Sequence, residues 1–216
     1  MGNFEIRRVL PDVPETLSAE AEAAISIYGI CQKLALEERT SVGHPNGRLE
    51  NVSEHSLSLS IVAPVISSIL YPELNADHIC RLCSIHDSVE AYVGDTPTHE
   101  YAKVDFEAKQ SREAAGLKML LEDYKKFPAF VELINEYEDQ VTPESRFVKV
   151  ADKLMPLIVH LFDNGGFLKQ FCSSKEELLK DAESRERNLL KDYPEFKELI
   201  NLRVELSRTV ADRYLT

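Results

Sequence analysis

The amino-acid sequence predicts an all-α fold, and three observations carry that prediction. Apolar residues recur at three- and four-residue intervals along nearly the whole chain, which is the period of an amphipathic helix. No stretch between turn signals alternates apolar and polar residues as a half-buried strand would. Capping residues and prolines stand where the helical pattern starts and stops, as local chemistry at helix ends requires.

The elements follow in order. Ser18 caps a first helix running to about Glu38, after which "TSVGHPNGR" carries the Gly, Pro and Asn of a loop. A second helix starts at a Ser53 cap and runs to about Tyr71, with Glu54 turned to solvent or to the periphery of any site beside it. Pro64 within that helix cannot bond the carbonyl of Ser60, which predicts a kink there. Asp77 opens a third helix with Ile79, Leu82, Cys83 and Val89 on its apolar face; it reaches "VGDTPT" and so holds His86 and Asp87 near its end. Residues from about Val104 to Tyr124 form a further helix, and a short one follows Pro128. Thr142 then Pro143 starts another, because the Thr side chain accepts an N–H bond and Pro lacks only an N–H that would go unused. "DNGG" at 163–166 ends it, Ser174 with Glu177 makes a capping box for the next, and a last helix follows Pro194 to about Tyr214.

A chain of 216 residues with 44% hydrophobic content is read as a single domain spanning 1–216, since one core can grow to this size. The apolar run from Ile61 to Leu70 is short of the roughly twenty residues that cross a bilayer, and "MGNFEI" has neither a signal peptide's regions nor a myristoylation signal, so a cytoplasmic protein without a membrane segment is expected. The four cysteines are too few to staple the chain, and Cys80-x-x-Cys83 has no second pair to complete a zinc site, so they are read as packing residues. A net charge of −12 without a basic cluster excludes the phosphate contacts that long nucleic acid needs. It leaves room for a single nucleotide, whose phosphate needs only a divalent ion and one or two arginines.

Two segments carry chemistry. "SIHDSVEAYVGD" sets His86 and Asp87 side by side, with Glu90 one turn on and Asp95 just beyond, an arrangement that serves a metal and a base equally as it serves a core histidine flanked by solvated acids. In "ESRFVKVADKLMPLIVHLF" the stripe Val148, Ala151, Met155, Ile158, Val159 and Phe162 contains Asp152. A carboxylate facing a core must find a metal, a cation or several donors, and Pro156 cannot bond its carbonyl, which shapes the backbone there. With His55 from "ENVSEHSL", these residues form an N2O2 set suited to a divalent transition ion with open positions for water and substrate.

"ENVSEHSL", "HDSVEAYVGDTPT" and "PESRFVKVADKL" resemble the corresponding segments of the HD-domain metal-dependent phosphohydrolases, and within them the single-domain 5′-deoxynucleotidases, over about residues 28–162. The resemblance implies a helical HD core with a C-terminal helical extension over about 174–216, and hydrolysis of deoxyribonucleoside 5′-monophosphates to deoxynucleoside and phosphate. It implies that His55, His86, Asp87 and Asp152 bind one divalent metal (Mn, Co, Mg, Ni or Zn), that Glu90 acts on the attacking water, and that Asp95 belongs to the active site. Arg39 is similar to the family's phosphate-binding arginine, with Arg48 a second candidate; bacterial members follow that arginine with a tryptophan, whereas this chain has Thr40 and no Trp. His99 is read as a loop residue and the site as mononuclear. A homodimer is implied as well. The alternatives are an HD-type deoxynucleoside triphosphate hydrolase and a non-catalytic HD scaffold that keeps the metal, the latter having no use for Glu90 beside an open position.

Overall fold

A computed structural model describes Val9, Pro14, residues 16–95 and residues 106–216. The expected start at Val104 and the loop carrying His99 lie outside the described residues. The all-α expectation holds in the main: eleven helices and one short hairpin make up the described chain. Helix α1 (Ala19–Leu36) starts at Ser18, whose side chain accepts the Ala21 N–H. Strands β1 (Glu38–Gly43) and β2 (Leu49–Asn51) then pair antiparallel where only a loop was expected. Pairing slips between Glu38↔Asn51 and Gly43↔Leu49, and such a bulge destroys the period-two pattern that would have betrayed the strands. Gly47 closes the turn at φ 83°, a conformation that other residues adopt only with strain.

Helix α2 (Val52–Leu70) starts two residues earlier than a Ser53 cap allows. Asn51 is the cap: its side chain accepts the Glu54 N–H while Glu54 accepts the Asn51 N–H, a reciprocal capping box. Glu54 is therefore committed to the helix start and is not a free surface acid. The helix continues through Pro64 as one element, with Ser68 donating to the Pro64 carbonyl. By length and composition α2 could cross a membrane, but its buried face belongs to the protein core, Leu59 and Ala63 included.

Helix α3 (Ala76–Ile85) ends before His86 and Asp87, which lie in a tight turn rather than within a helix as expected. Bonds from Ser88 N–H to the Ile85 carbonyl and from Glu90 N–H to that of Asp87 make the turn and lead into α4 (Glu90–Val93). Helices α5 (Phe106–Asp123) and α6 (Pro128–Asp139) follow. Helix α7 (Pro143–Asp152) has the expected Thr142 cap, and it stops where α8 (Met155–Phe162) begins because Pro156 has no N–H for Asp152. The resulting break turns α8, so Phe162, expected in the apolar stripe, is 70% exposed. Helices α9 (Leu168–Phe171), α10 (Lys175–Asp192) and α11 (Lys197–Tyr214) complete the chain, α10 capped by Ser174 and α11 entered through a 3-10 turn at Pro194–Phe196.

One core joins α2, α3, α7 and α11 through Leu59, Ile79, Leu82, Phe147, Val148, Leu199 and Ile200. Fully buried aliphatic side chains of this kind stabilise by about 1.5–3 kcal/mol each. A second core, with Ile30, Leu34, Val52, Tyr92, Leu120 and Ile134, joins α1, α4, α5 and α6. Cys83 packs in the first core and Cys80 is exposed, both as free thiols. The C-terminal helices are tied in by the Tyr71 hydroxyl, which accepts the Leu199 N–H at 3.2 Å.

Candidate functional site

The polar residues at the start of α2, just after α3 and at the end of α7 converge. The Asn51 capping box fixes the first turn of α2, so His55 enters fully buried. Its Nε2 lies 2.9 Å from Asp152 Oδ1 and 3.7 Å from Asp87 Oδ2. His86 Nε2 lies 3.0 Å from Asp87 Oδ2 and 3.8 Å from Asp152 Oδ1. His86 Nδ1 is 2.8 Å from the Cys83 carbonyl oxygen. A carbonyl only accepts, so the Nδ1 proton is fixed there and Nε2 faces the carboxylates.

Ligand atoms of His55, His86 and Asp152 lie within 4.8 Å of one another, close enough for one ion to be shared, and Asp87 adjoins both histidines. Among the described residues, His86 Nε2, Asp87 Oδ2 and Glu90 Oε2 are buried without a well-formed hydrogen bond. Buried polar atoms of this kind are costly unless something answers them, and two imidazoles with two carboxylates are a donor set that a divalent transition ion accepts. The residues fit a metal.

Electrostatics around the cluster are strongly biased. Burial opposes a charged imidazole at His86, but Asp87 and Asp152 outweigh it and carry the group up to about 10. Burial raises Asp87 and Asp152, yet the histidines, and Lys153 for Asp152, hold both well below the ordinary carboxylate range. Glu90 goes the other way: burial, then the charges of Asp87 and Asp95, push it well above the usual value.

The cluster opens into a cavity of about 370 Å³ lined by Arg39, Asp87, Glu90, Asp95, Tyr137 and Asp152 among others. Arg39 projects from β1, its Nη1 3.5 Å from Asp87 Oδ2 and its Nε 3.5 Å from Glu50 Oε2. Asp95 is held at the rim by Thr40, whose N–H and Oγ1 lie 3.0 and 3.3 Å from its Oδ2. Thr40 thus orients an acid that lines the cavity. Arg48 is not brought in: both its Nη atoms fork onto Glu54 at 2.9 and 2.7 Å, and it does not line this cavity. Arg48 holds Glu54 down to about 2 and reinforces the α2 start instead.

Sequence reasoning missed Glu50, Lys109, Lys149 and Lys153. The three lysines line the cavity, Lys149 over the Tyr137 ring at 4.9 Å and Lys153 on Asp152 at 2.6 Å. Lysines at helical spacing read as a solvated face, and no local pattern separates them from others. Glu50 lies one residue before the Asn51 cap, and pairing β1 with β2 would have set it beside Arg39.

The sequence profile described as HD domain matches residues 31–194. A 5′-deoxynucleotidase of Erwinia tasmaniensis is 31% identical over 162 residues, covering 68% of this chain and 78% of its own length. Human 5′-deoxynucleotidase HDDC2 is 37% identical over 111 residues, covering 49% of this chain; that match spans half the relative's length, 50%. A crystal structure from Magnetospirillum magnetotacticum MS-1, described as a predicted metal-dependent phosphohydrolase, superposes with a TM-score of 0.70 at 24% identity, covering 95% of this chain and 100% of its own. At that identity the last similarity speaks for the fold.

Proposed function

The chain belongs to the HD-domain family, and on that footing we propose that it is a metal-dependent 5′-deoxynucleotidase, hydrolysing deoxyribonucleoside 5′-monophosphates to deoxynucleoside and phosphate. The observation that carries this reading is the convergence of His55, His86, Asp87 and Asp152 at the wall of a cavity that also holds Glu90 and Arg39. Those four residues would hold one divalent ion. When bound, the ion supplies positive charge that makes water more acidic and polarises the phosphoryl group. Glu90 orients the attacking water and takes its proton, placed for it by lining the same cavity with a buried Oε2 that has no hydrogen-bond partner among the described residues. Arg39 offsets charge on the phosphoryl oxygens; two flanking carboxylates hold it in place and pin its orientation. Asp95, fixed by Thr40, acts from the rim.

The proposal extends to a single domain over 1–216, a cytoplasmic setting and a homodimer. Favouring the homodimer, α2 exposes Leu57, Ile61, Val65 and Ile69 at 62, 61, 57 and 69%. These fall four residues apart on one face, and no charged residue occurs from Leu57 to Leu70. In a chain of net charge −12, an uncharged apolar face is where a second copy meets least repulsion.

A phosphate-release screen of deoxynucleoside mono- and triphosphates with Mn, Co, Mg, Ni and Zn in turn tests the activity. Nucleoside and phosphate from monophosphates are expected. Triphosphate release from deoxynucleoside triphosphates alone would replace this reading with the triphosphohydrolase one, and metal binding without any hydrolysis would leave a scaffold.

A further inference from the structure

Glu50 is 3% exposed, and flanking Arg39 is only part of what its position allows. It stands on β2 between two residues that matter: its Oε2 is 3.5 Å from Arg39 Nε on the neighbouring strand and 3.9 Å from His55 Nδ1. His55 is fully buried, and its Nδ1 forms no hydrogen bond among the described residues. Burying an imidazole N–H without an acceptor is unfavourable, and a carboxylate is the strongest acceptor a protein offers it.

The two histidines are thereby distinguished. His86 has its Nδ1 proton fixed by the Cys83 backbone carbonyl. His55 has no backbone acceptor in hydrogen-bond contact with Nδ1 among the described residues, and faces Glu50 instead. We infer that Glu50 is a positioning residue that holds the His55 ring by Nδ1, so that Nε2 is presented to the cluster, and anchors Arg39 by Nε, so that its terminal nitrogens face the phosphate. One buried carboxylate then couples the metal site to the phosphate clamp. The separation of 3.9 Å to Nδ1 is beyond a hydrogen bond, and the inferred contact closes when the site is loaded, as site hydrogen bonds that are long without ligand often do. This inference rests on the metal-site reading above.

The test compares wild-type protein with Glu50→Gln and Glu50→Ala. Zinc affinity is measured by calorimetry, and inorganic phosphate, competing against a deoxynucleoside monophosphate, reports on Arg39. Partners that orient a ligating histidine are typically worth about 10–100-fold in metal affinity. Glu50→Ala is therefore expected to lose about that factor, with Glu50→Gln, which keeps an acceptor oxygen, recovering part of it. The inhibition constant for phosphate should rise in both variants. In the zinc-loaded wild type, the His55 Nδ1 proton should give a protected low-field NMR resonance that moves in Glu50→Gln and vanishes in Glu50→Ala. A purely structural role would leave that resonance in place, and an unmoved resonance or unchanged zinc affinity overturns the inference. If Glu50→Ala does not fold, Glu50→Gln decides by the same measurements. Wild-type protein that binds zinc but cleaves no nucleotide refutes the nucleotidase function, while the zinc and NMR comparisons still decide on Glu50.

Discussion

Asp152→Asn removes one charge from the cluster and leaves its shape. Asp152 is the carboxylate that touches His55 at 2.9 Å and is only 9% exposed, so the substitution bears on the metal with little change of packing. An ion that binds the folded chain alone, supplied at 100 times its Kd, stabilises by about 2.7 kcal/mol. For 216 residues unfolding with an entropy of about 2.1 cal/mol/K each, that is a rise in Tm of about 6 °C. Losing a ligand should weaken binding by at least the ~100-fold that an outer partner can cost, leaving about 0.4 kcal/mol and under ~1 °C at the same metal concentration. The assay is a thermal melt of each variant with and without Mn or Zn, read as the difference that metal makes. Glu90→Gln is the control: it should keep the ~6 °C response while turnover falls about 10²–10⁴-fold, the range for a lost general base. An undiminished metal response in Asp152→Asn, or an equal loss of response in both variants, refutes the division between holding the ion and acting on water.

The two arginine candidates separate kinetically: Arg39→Ala should cost about 10²–10³ in kcat/KM, whereas Arg48→Ala, which loses its fork onto Glu54 and its bond to the Leu49 carbonyl, neither of them lining the cavity, should leave kcat/KM within about twofold. Gly94→Ala places a Cβ 2.8 Å from Glu37 Oε1 at φ 76° and ψ 161°, a strain of about 1–3 kcal/mol that urea unfolding should register. Burial pushes Glu136 up, but the hydrogen bonds from Thr142 and with His78 outweigh it and hold the carboxyl below its ordinary value. Its contribution is thus fully present above the unfolded pKa and lost as pH falls through the lower folded one. Glu136→Gln should be about 1–2 kcal/mol less stable than wild type at pH 7, with the gap closing in acid; a gap independent of pH contradicts this. In sedimentation, wild type should run as a dimer and Ile61→Glu as a monomer, since the charge would enter an apolar contact in both copies.

What was legible in the sequence follows from the range over which each signal acts. Ser18, Thr142 with Pro143, and Ser174 name helix starts because a cap and the N–H it satisfies are three residues apart. Asp152 was legible because a carboxylate in an apolar stripe is anomalous under any packing. The hairpin was not, since its pairing joins residues over a distance and its bulge erases alternation. That omission also explains the arginines. Without β1 and β2, Arg39 and Arg48 are two arginines of one loop; with them, Arg39 sits beside Glu50 and faces the site while Arg48 is drawn to Glu54.

The same hairpin explains why Ser53 was mistaken for the cap. Val52 donates its N–H to the Glu37 carbonyl at the hairpin's open end, so Asn51 is still in extended conformation and is the residue placed to turn its side chain back onto Glu54. The helix carrying His55 therefore takes its starting point from a strand, and so does the arginine opposite. Geometry that must bring a metal ligand and a phosphate clamp to the same spot is more precise on paired strands and a capped helix than on a free loop. On this argument, a substitution that loosens the hairpin away from the cavity, such as Gly47→Val at φ 83°, should weaken metal affinity and raise KM together. Metal calorimetry and steady-state kinetics on the same preparation measure both, and a variant that alters neither would show that the two halves of the site are positioned independently.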